Sequence, residues 1–130
     1  MLIGYVGVFK GTATQNGKVQ GTFEAIVALV GGRVNGTVGM VYYDLAGITH
    51  PPVADRQART CAPLELVSVS NDKVVLQEGR FLIKGRANYS KMTLKLLPTG
   101  DLEYSFLAEN GDTGSGTLHR VEPLCSVVLA

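Results

Sequence analysis

The 130-residue chain has no tryptophan, only two cysteines and no dominant sign of charge. It also has no apolar run approaching the roughly 20 residues that a membrane-spanning helix requires. Twelve Lys plus Arg against eleven Asp plus Glu leave a formal net charge of +1. No global field draws in nucleic acid or an anionic membrane, so neither is expected as a partner. Cys61 and Cys125 either form one disulfide or remain two thiols, and two cysteines do not define a redox compartment. The N-terminus lacks the charged and then apolar order of a signal peptide, so no such leader is expected within these residues.

The chemical signatures are equally sparse. His50 and His119 are the only histidines. Neither stands at a metal-ligand spacing from a cysteine or from the other, so no metal site is expected. No glycine-rich phosphate loop opens a helix, and no cofactor is implied. Asn35-Gly36-Thr37 and Asn88-Tyr89-Ser90 match the glycosylation pattern, which is common by chance. With five Tyr and four Phe, most of them at inward positions, no stacking platform for single-stranded nucleic acid is indicated.

What is present is a β pattern. Apolar and polar residues alternate over short runs, Gly, Asn, Asp and Pro recur between the runs, and no long segment carries the helical period. Hydrophobic residues make up 45% and charged residues 18% of the chain. That balance suits a globular chain whose residues 1–130 form one domain.

Turn chemistry and face matching then define the strand pairs. A three-residue loop at Asn16-Gly17-Lys18 places Lys10 opposite Glu24 and Phe9 opposite Ala25. A two-residue turn at Gly31-Gly32 pairs Phe23 with Met40 and Ala25 with Val38. The turn at Pro98-Thr99-Gly100 sets Leu96 against Leu102, Leu94 against Tyr104, Met92 against Phe106 and Lys95 against Glu103. A turn around Ser70-Asn71-Asp72 brings Leu66 against Leu76. Phe9, Phe23, Tyr42, Tyr104 and Phe106 fall on the inward phase.

The result is an all-β, antiparallel up-and-down meander of about eight strands, near 4–14, 19–30, 33–43, 62–69, 73–80, 91–97, 101–108 and 114–121, closing into a small barrel. A β-sandwich built from the same strands is the alternative. Small inward residues on the first three strands face large ones on the sixth and seventh, so the interior is either packed or hollow.

Connections in a meander emerge alternately at the two ends. One end holds the tight turns; the other holds the loop at residues 16–18, the long segment 44–61, the segment 80–90 and the loop 109–114. Long loops more often carry function, so a site is expected there. The candidate ligand-binding residues are Tyr43, His50, Asp55, Arg56, Arg59, Arg80, Arg86 and Tyr89, a locally basic group suited to an anionic small molecule or an acidic surface. Its bland explanation is that surface loops are ordinarily charged.

The same topology separates Cys61 from Cys125 by the length of a strand, about eight residues at roughly 3.3 Å each. That lies beyond disulfide reach, so no intrachain disulfide is expected. Three functions follow. The leading one is a non-catalytic binding or sensing module with a small-ligand or partner site at the long-loop end. A second is a small barrel enzyme of isomerase or cyclase type, using His50 with Asp55 or Arg59. A third is a protein that assembles with copies of itself through the apolar tail at residues 124–130.

From Gly7 to Arg120 the order of motifs resembles a small uncharacterised β-domain of exported actinobacterial proteins, found also as an outer segment of receptor-type kinases. The resemblance rests on Tyr5-x-Gly7, on Val34-Asn35-Gly36-Thr37-Val38-Gly39, and on Cys61 leading Leu64-Glu65-Leu66. It continues through Met92-Thr93-Leu94-Lys95-Leu96, Gly100-Asp101-Leu102-Glu103-Tyr104-Ser105-Phe106 and Ser115-Gly116-Thr117-Leu118-His119-Arg120. It implies an exported binding or sensing module and no chemistry. A second cysteine of that family, before the sixth strand, is replaced here by Asn88 or thereabouts, leaving Cys61 without the partner the resemblance implies. Barrels of the lipocalin and avidin kind share the architecture, but fold alone does not carry function.

Overall fold

A computed structural model of the chain describes residues 3–34, 37–79 and 89–121. Among these residues nine strands form one antiparallel sheet: β1 (Gly7–Asn16), β2 (Gln20–Val34), β3 (Thr37–Asp44), β4 (Ile48–His50), β5 (Arg59–Val69), β6 (Val74–Glu78), β7 (Ser90–Leu96), β8 (Leu102–Ala108) and β9 (Thr113–Arg120). Their order is β1-β9-β8-β7-β6-β5-β3-β2, and β1 also pairs with β2, so eight strands close into a barrel. The closing ladder runs from Gly7 opposite Leu29 to Asn16 opposite Gln20, which removes the sandwich alternative.

The short β4 was not foreseen. β2 extends past the end of β3, whose pairing stops at Glu24 and Asp44, and β4 takes up the edge left over at Gln20 and Gly21. The Thr22 amide also donates to the Gly47 carbonyl at 3.1 Å, tying the connection after β3 to the rim of the barrel.

Two of the expected registers hold. Leu94 faces Tyr104, Met92 faces Phe106 and Leu96 faces Leu102, and Leu66 faces Leu76 before a bulge near Val67. The first hairpin is displaced by two residues, with Lys10 opposite Ile26 and Phe9 opposite Val27. The loop falls on Gly17-Lys18-Val19 because the Asp112 carboxylate accepts the Lys18 and Val19 amides at 2.9 and 2.8 Å. An even displacement preserves the faces. Phe9, Phe23 and Ala25 stay buried, and Lys10 still reaches Glu24 diagonally at 3.7 Å.

The second hairpin needs a larger correction. β2 runs through Gly31-Gly32, and Val34 pairs with Thr37 across the sequence Asn35-Gly36, the dipeptide most suited to a two-residue hairpin loop. The register then shifts between Val34 and Leu29, so that Ala28 faces Met40, and this odd shift inverts the inner part of β3: Val41 and Tyr43 are buried, while Met40 and Tyr42 are half-buried.

The start of the chain differs too. Ile3–Tyr5 is a 3-10 turn rather than strand, and Gly7 enters β1 with φ 134°, a backbone region that favours glycine. The turn plugs the tight-turn end. Tyr5 is buried there, its hydroxyl donating to the Asp72 carbonyl at 3.1 Å and accepting from the Leu96 amide at 3.0 Å. Arg120 locks the plug from outside, donating to the Gly4 and Val6 carbonyls at 2.8 Å each and stacking over Phe9 at 4.6 Å. Leu64, Leu76, Leu94, Leu102 and Leu118, all fully buried, fill the barrel above it.

Candidate functional site: the hollow half of the barrel

The alternation that buries Val74 and Leu76 on β6 also turns Glu78 inward, where only 4% of it is exposed. Its neighbour across the ladder is Ser90, the first residue of β7, buried by the same alternation that buries Met92 and Leu94. Ser90 donates twice to Glu78 Oε1, from its amide at 2.6 Å and from its hydroxyl at 2.7 Å. Such short contacts are those of charge-assisted hydrogen bonds. Glu78 Oε2 is buried with no hydrogen-bond partner.

Glu78 is one of the residues that line a cavity of about 60 Å³ at the long-loop end. Phe23, Tyr43, Tyr104 and Phe106 form its aromatic wall. Phe23 meets Tyr43 and Phe106 edge-on, at centroid distances of 5.5 and 5.6 Å, and Tyr104 lies 5.7 Å from Phe106. Leu45, Ile48, Pro51 and Val53, from the connection between β3 and β5, form an apolar roof. Gln15, Ser90 and Ala108 complete the rim.

Burial pushes the Glu78 carboxyl above its ordinary pKa, because an ion is poorly solvated here. The nearby Tyr43 hydroxyl and the two Ser90 donors pull part of the way back. Tyr43 does this without closing a hydrogen bond on Oε2. Burial likewise raises Tyr43 well above the usual phenol value, with Tyr104 and Glu78 adding to the shift. Tyr104 is raised for the same first reason, so both phenols stay neutral across the physiological range. Their hydroxyl oxygens are 3.5 Å apart.

The mouth is braced by Asp112, itself buried. Besides the Lys18 and Val19 amides, it accepts from the Gln15 side chain at 3.1 Å and the Asn110 side chain at 3.3 Å. Burial alone would raise its pKa, but these donors outweigh it and hold the carboxyl below its usual range.

Of the residues singled out in the sequence, Tyr43 lines the cavity. His50 is exposed on β4, and Asp55 and Arg56 are exposed in the 3-10 turn Asp55–Gln57. Arg59 is exposed and lies 3.8 Å from Asp44. Tyr89 sits at the edge, 37% exposed, its carbonyl accepting from the Glu109 amide. Arg80, Arg86, Cys125 and the tail at residues 124–130 lie outside the described residues. His50, Asp55 and Arg59 are not brought together around the cavity.

Glu78 and Ser90 were missed. Their signal was present: each continues an inward-facing alternation, and a charged residue in a buried phase is the informative kind of exception. Among the described residues no three His, Cys, Asp or Glu side chains gather as a metal site, and no helix is long and apolar enough to cross a membrane. Comparison with known proteins finds no matching family model and no matching curated protein.

Proposed function

We propose that the domain is a binding module that takes a small ligand into the hollow half of the barrel through the long-loop mouth. The observation that carries this reading is Glu78, whose buried Oε2 has no hydrogen-bond partner and which lines a cavity together with four aromatic rings. Leaving such an acceptor unsatisfied costs about 1–3 kcal/mol, and more for a charged group. A ligand that supplies the donor and fills the apolar volume offsets that cost. Eight-stranded barrels have interiors of the size that holds one small ligand, as in lipocalins. The cavity is small, so it takes only a short ligand group, with any remainder of the ligand passing out of the mouth.

The test is a thermal-shift and NMR screen of compounds with a short apolar body and one polar head, run in parallel on an Ala108→Leu variant. Ala108 lines the cavity, so the larger side chain fills it from the rim without adding a polar group. A genuine interior ligand stabilises the unmodified protein by about 2.7 kcal/mol at one hundred times its Kd. It loses that effect in A108L while the variant stays folded. Ligands that act equally on both proteins, or shift only exterior resonances, contradict the interior site.

A further inference from the structure

We propose that the ligand head recognised by Glu78 is a primary ammonium group on a short alkyl chain. The proposal rests on the small-ligand reading above and adds the chemistry of the ligand. Three features of the cavity point to it. First, the Ser90 amide and hydroxyl both donate to Oε1, which offsets part of the burial that favours the acid and leaves the carboxylate within reach of a ligand that brings a positive charge. Second, among the described residues lining the cavity there is no Lys, Arg or His, so the described wall gives the carboxylate no countercharge and a cationic ligand supplies one. Third, the rings of Phe23, Tyr43, Tyr104 and Phe106 line the same space, and a ring face offered to a cation attracts it. The vacant Oε2 needs an N–H or O–H donor, which a primary ammonium supplies and a quaternary one does not.

The roof residues Leu45, Ile48, Pro51 and Val53 are apolar, so the part of the ligand that lies beneath them is hydrocarbon. n-Butylammonium, with five non-hydrogen atoms, is such a short ligand. A ligand of that size reaches micromolar affinity at the very tightest, so the measurement is made at millimolar concentration.

The exchange also has a proton balance. Because the empty site favours the neutral acid more than free glutamate does, binding an ammonium ion releases a proton from Glu78 in the fraction of molecules that hold one. Among the described residues, the other titratable groups facing the carboxyl are Tyr43 and Tyr104, which stay neutral and do not contribute. Affinity therefore rises with pH until Glu78 is fully ionised.

The experiment compares four ligands by calorimetry and by NMR shifts of the cavity residues: n-butylammonium, n-butanol, butyrate and tetramethylammonium. The expected result is that n-butylammonium binds at least tenfold more tightly than the other three, with affinity increasing from pH 5 to pH 8. In Glu78→Gln it should lose at least tenfold and become independent of pH, while n-butanol binding is retained. Butanol or butyrate binding as well as the amine overturns the ammonium assignment and leaves the small-ligand reading standing. Equal binding of tetramethylammonium overturns the role of the vacant oxygen as an acceptor. No binding by any of the four, with the Phe23, Tyr43 and Phe106 resonances unmoved, sinks both. The four-ligand comparison needs only the unmodified protein, so a failure of E78Q to fold does not blunt it.

Discussion

Two buried carboxylates of this barrel face opposite electrostatic situations, and their substitution should have opposite consequences. Asp112 accepts from two backbone amides and two side-chain amides, and its pKa is held down. A depressed folded value means that its stabilisation is present above the ordinary carboxylate range and lost as pH falls through the folded value. Asp112→Ala leaves those donors without an acceptor and should cost on the order of 2–3 kcal/mol at pH 7. Urea unfolding at pH 7 and pH 3 should show the gap between variant and parent shrinking on acidification. A gap independent of pH would mean that the carboxylate is not the acceptor that matters.

Glu78 has the other sign. Its folded value is raised, so stability is fully present below the ordinary glutamate value and is lost as pH rises through the folded one. In the absence of ligand, E78Q should therefore gain on the parent between pH 4 and pH 8, because the amide keeps the Ser90 contacts at its oxygen without burying a charge. Urea midpoints at the two pH values check this, and a variant that loses ground at pH 8 would contradict it. A recognition group that weakens the empty protein is a usual feature of binding sites, where local stability is given up for function.

At the scale of elements, closure depends on how near β9 comes to β1. A Cβ at Gly116 would collide with the Thr12 carbonyl oxygen, and one at Gly114 with the Phe106 ring and the Thr14 carbonyl oxygen. Gly116→Ala should force the two strands apart and cost about 1–3 kcal/mol, the usual range for overpacking. Hydrogen exchange should show the loss concentrated in the β1 and β9 amides. Uniform protection across the barrel would argue that the seam is not the tight point.

The same scale explains what was legible in the chain. The hairpin between β7 and β8 could be placed because Leu96-Leu102, Leu94-Tyr104 and Lys95-Glu103 agree on one register at both faces. The β2–β3 turn could not, because Gly31-Gly32 and Asn35-Gly36 are both good turn dipeptides, and the apolar run around them alternates too weakly to choose. Side chains alternate with period two and the two turn choices differ by an even number of residues, so it is the odd register shift between Leu29 and Val34 that turns Tyr43 inward in place of Tyr42. The β1–β2 error was even and cost nothing in orientation. β4 was hidden because three residues carry no usable period, and its pairing depends on the excess length of β2.

For the whole molecule, the cavity lies at the end with the long loops, but the described loop charges do not line it. The tight-turn end is plugged by Tyr5 and locked by Arg120; the long-loop end is hollow because its inward residues are Glu78, Ser90 and Ala108 rather than leucines. The described charges Asp55, Arg56 and Arg59 decorate the outside of that end. Loop composition could point to an end of the barrel, but not to the strand residue inside it. Only the closed topology shows that β3, β6, β7 and β8 bring Tyr43, Glu78, Ser90 and Tyr104 to one space.

The most direct measurement is a carbon-13 NMR titration of the Glu78 side-chain carboxyl in the ligand-free protein. A midpoint above that of a solvated glutamate, moved downward by n-butylammonium, is the expected result. A midpoint at the ordinary glutamate value, unchanged by the amine, would show that this carboxyl faces water rather than an empty, ring-walled chamber.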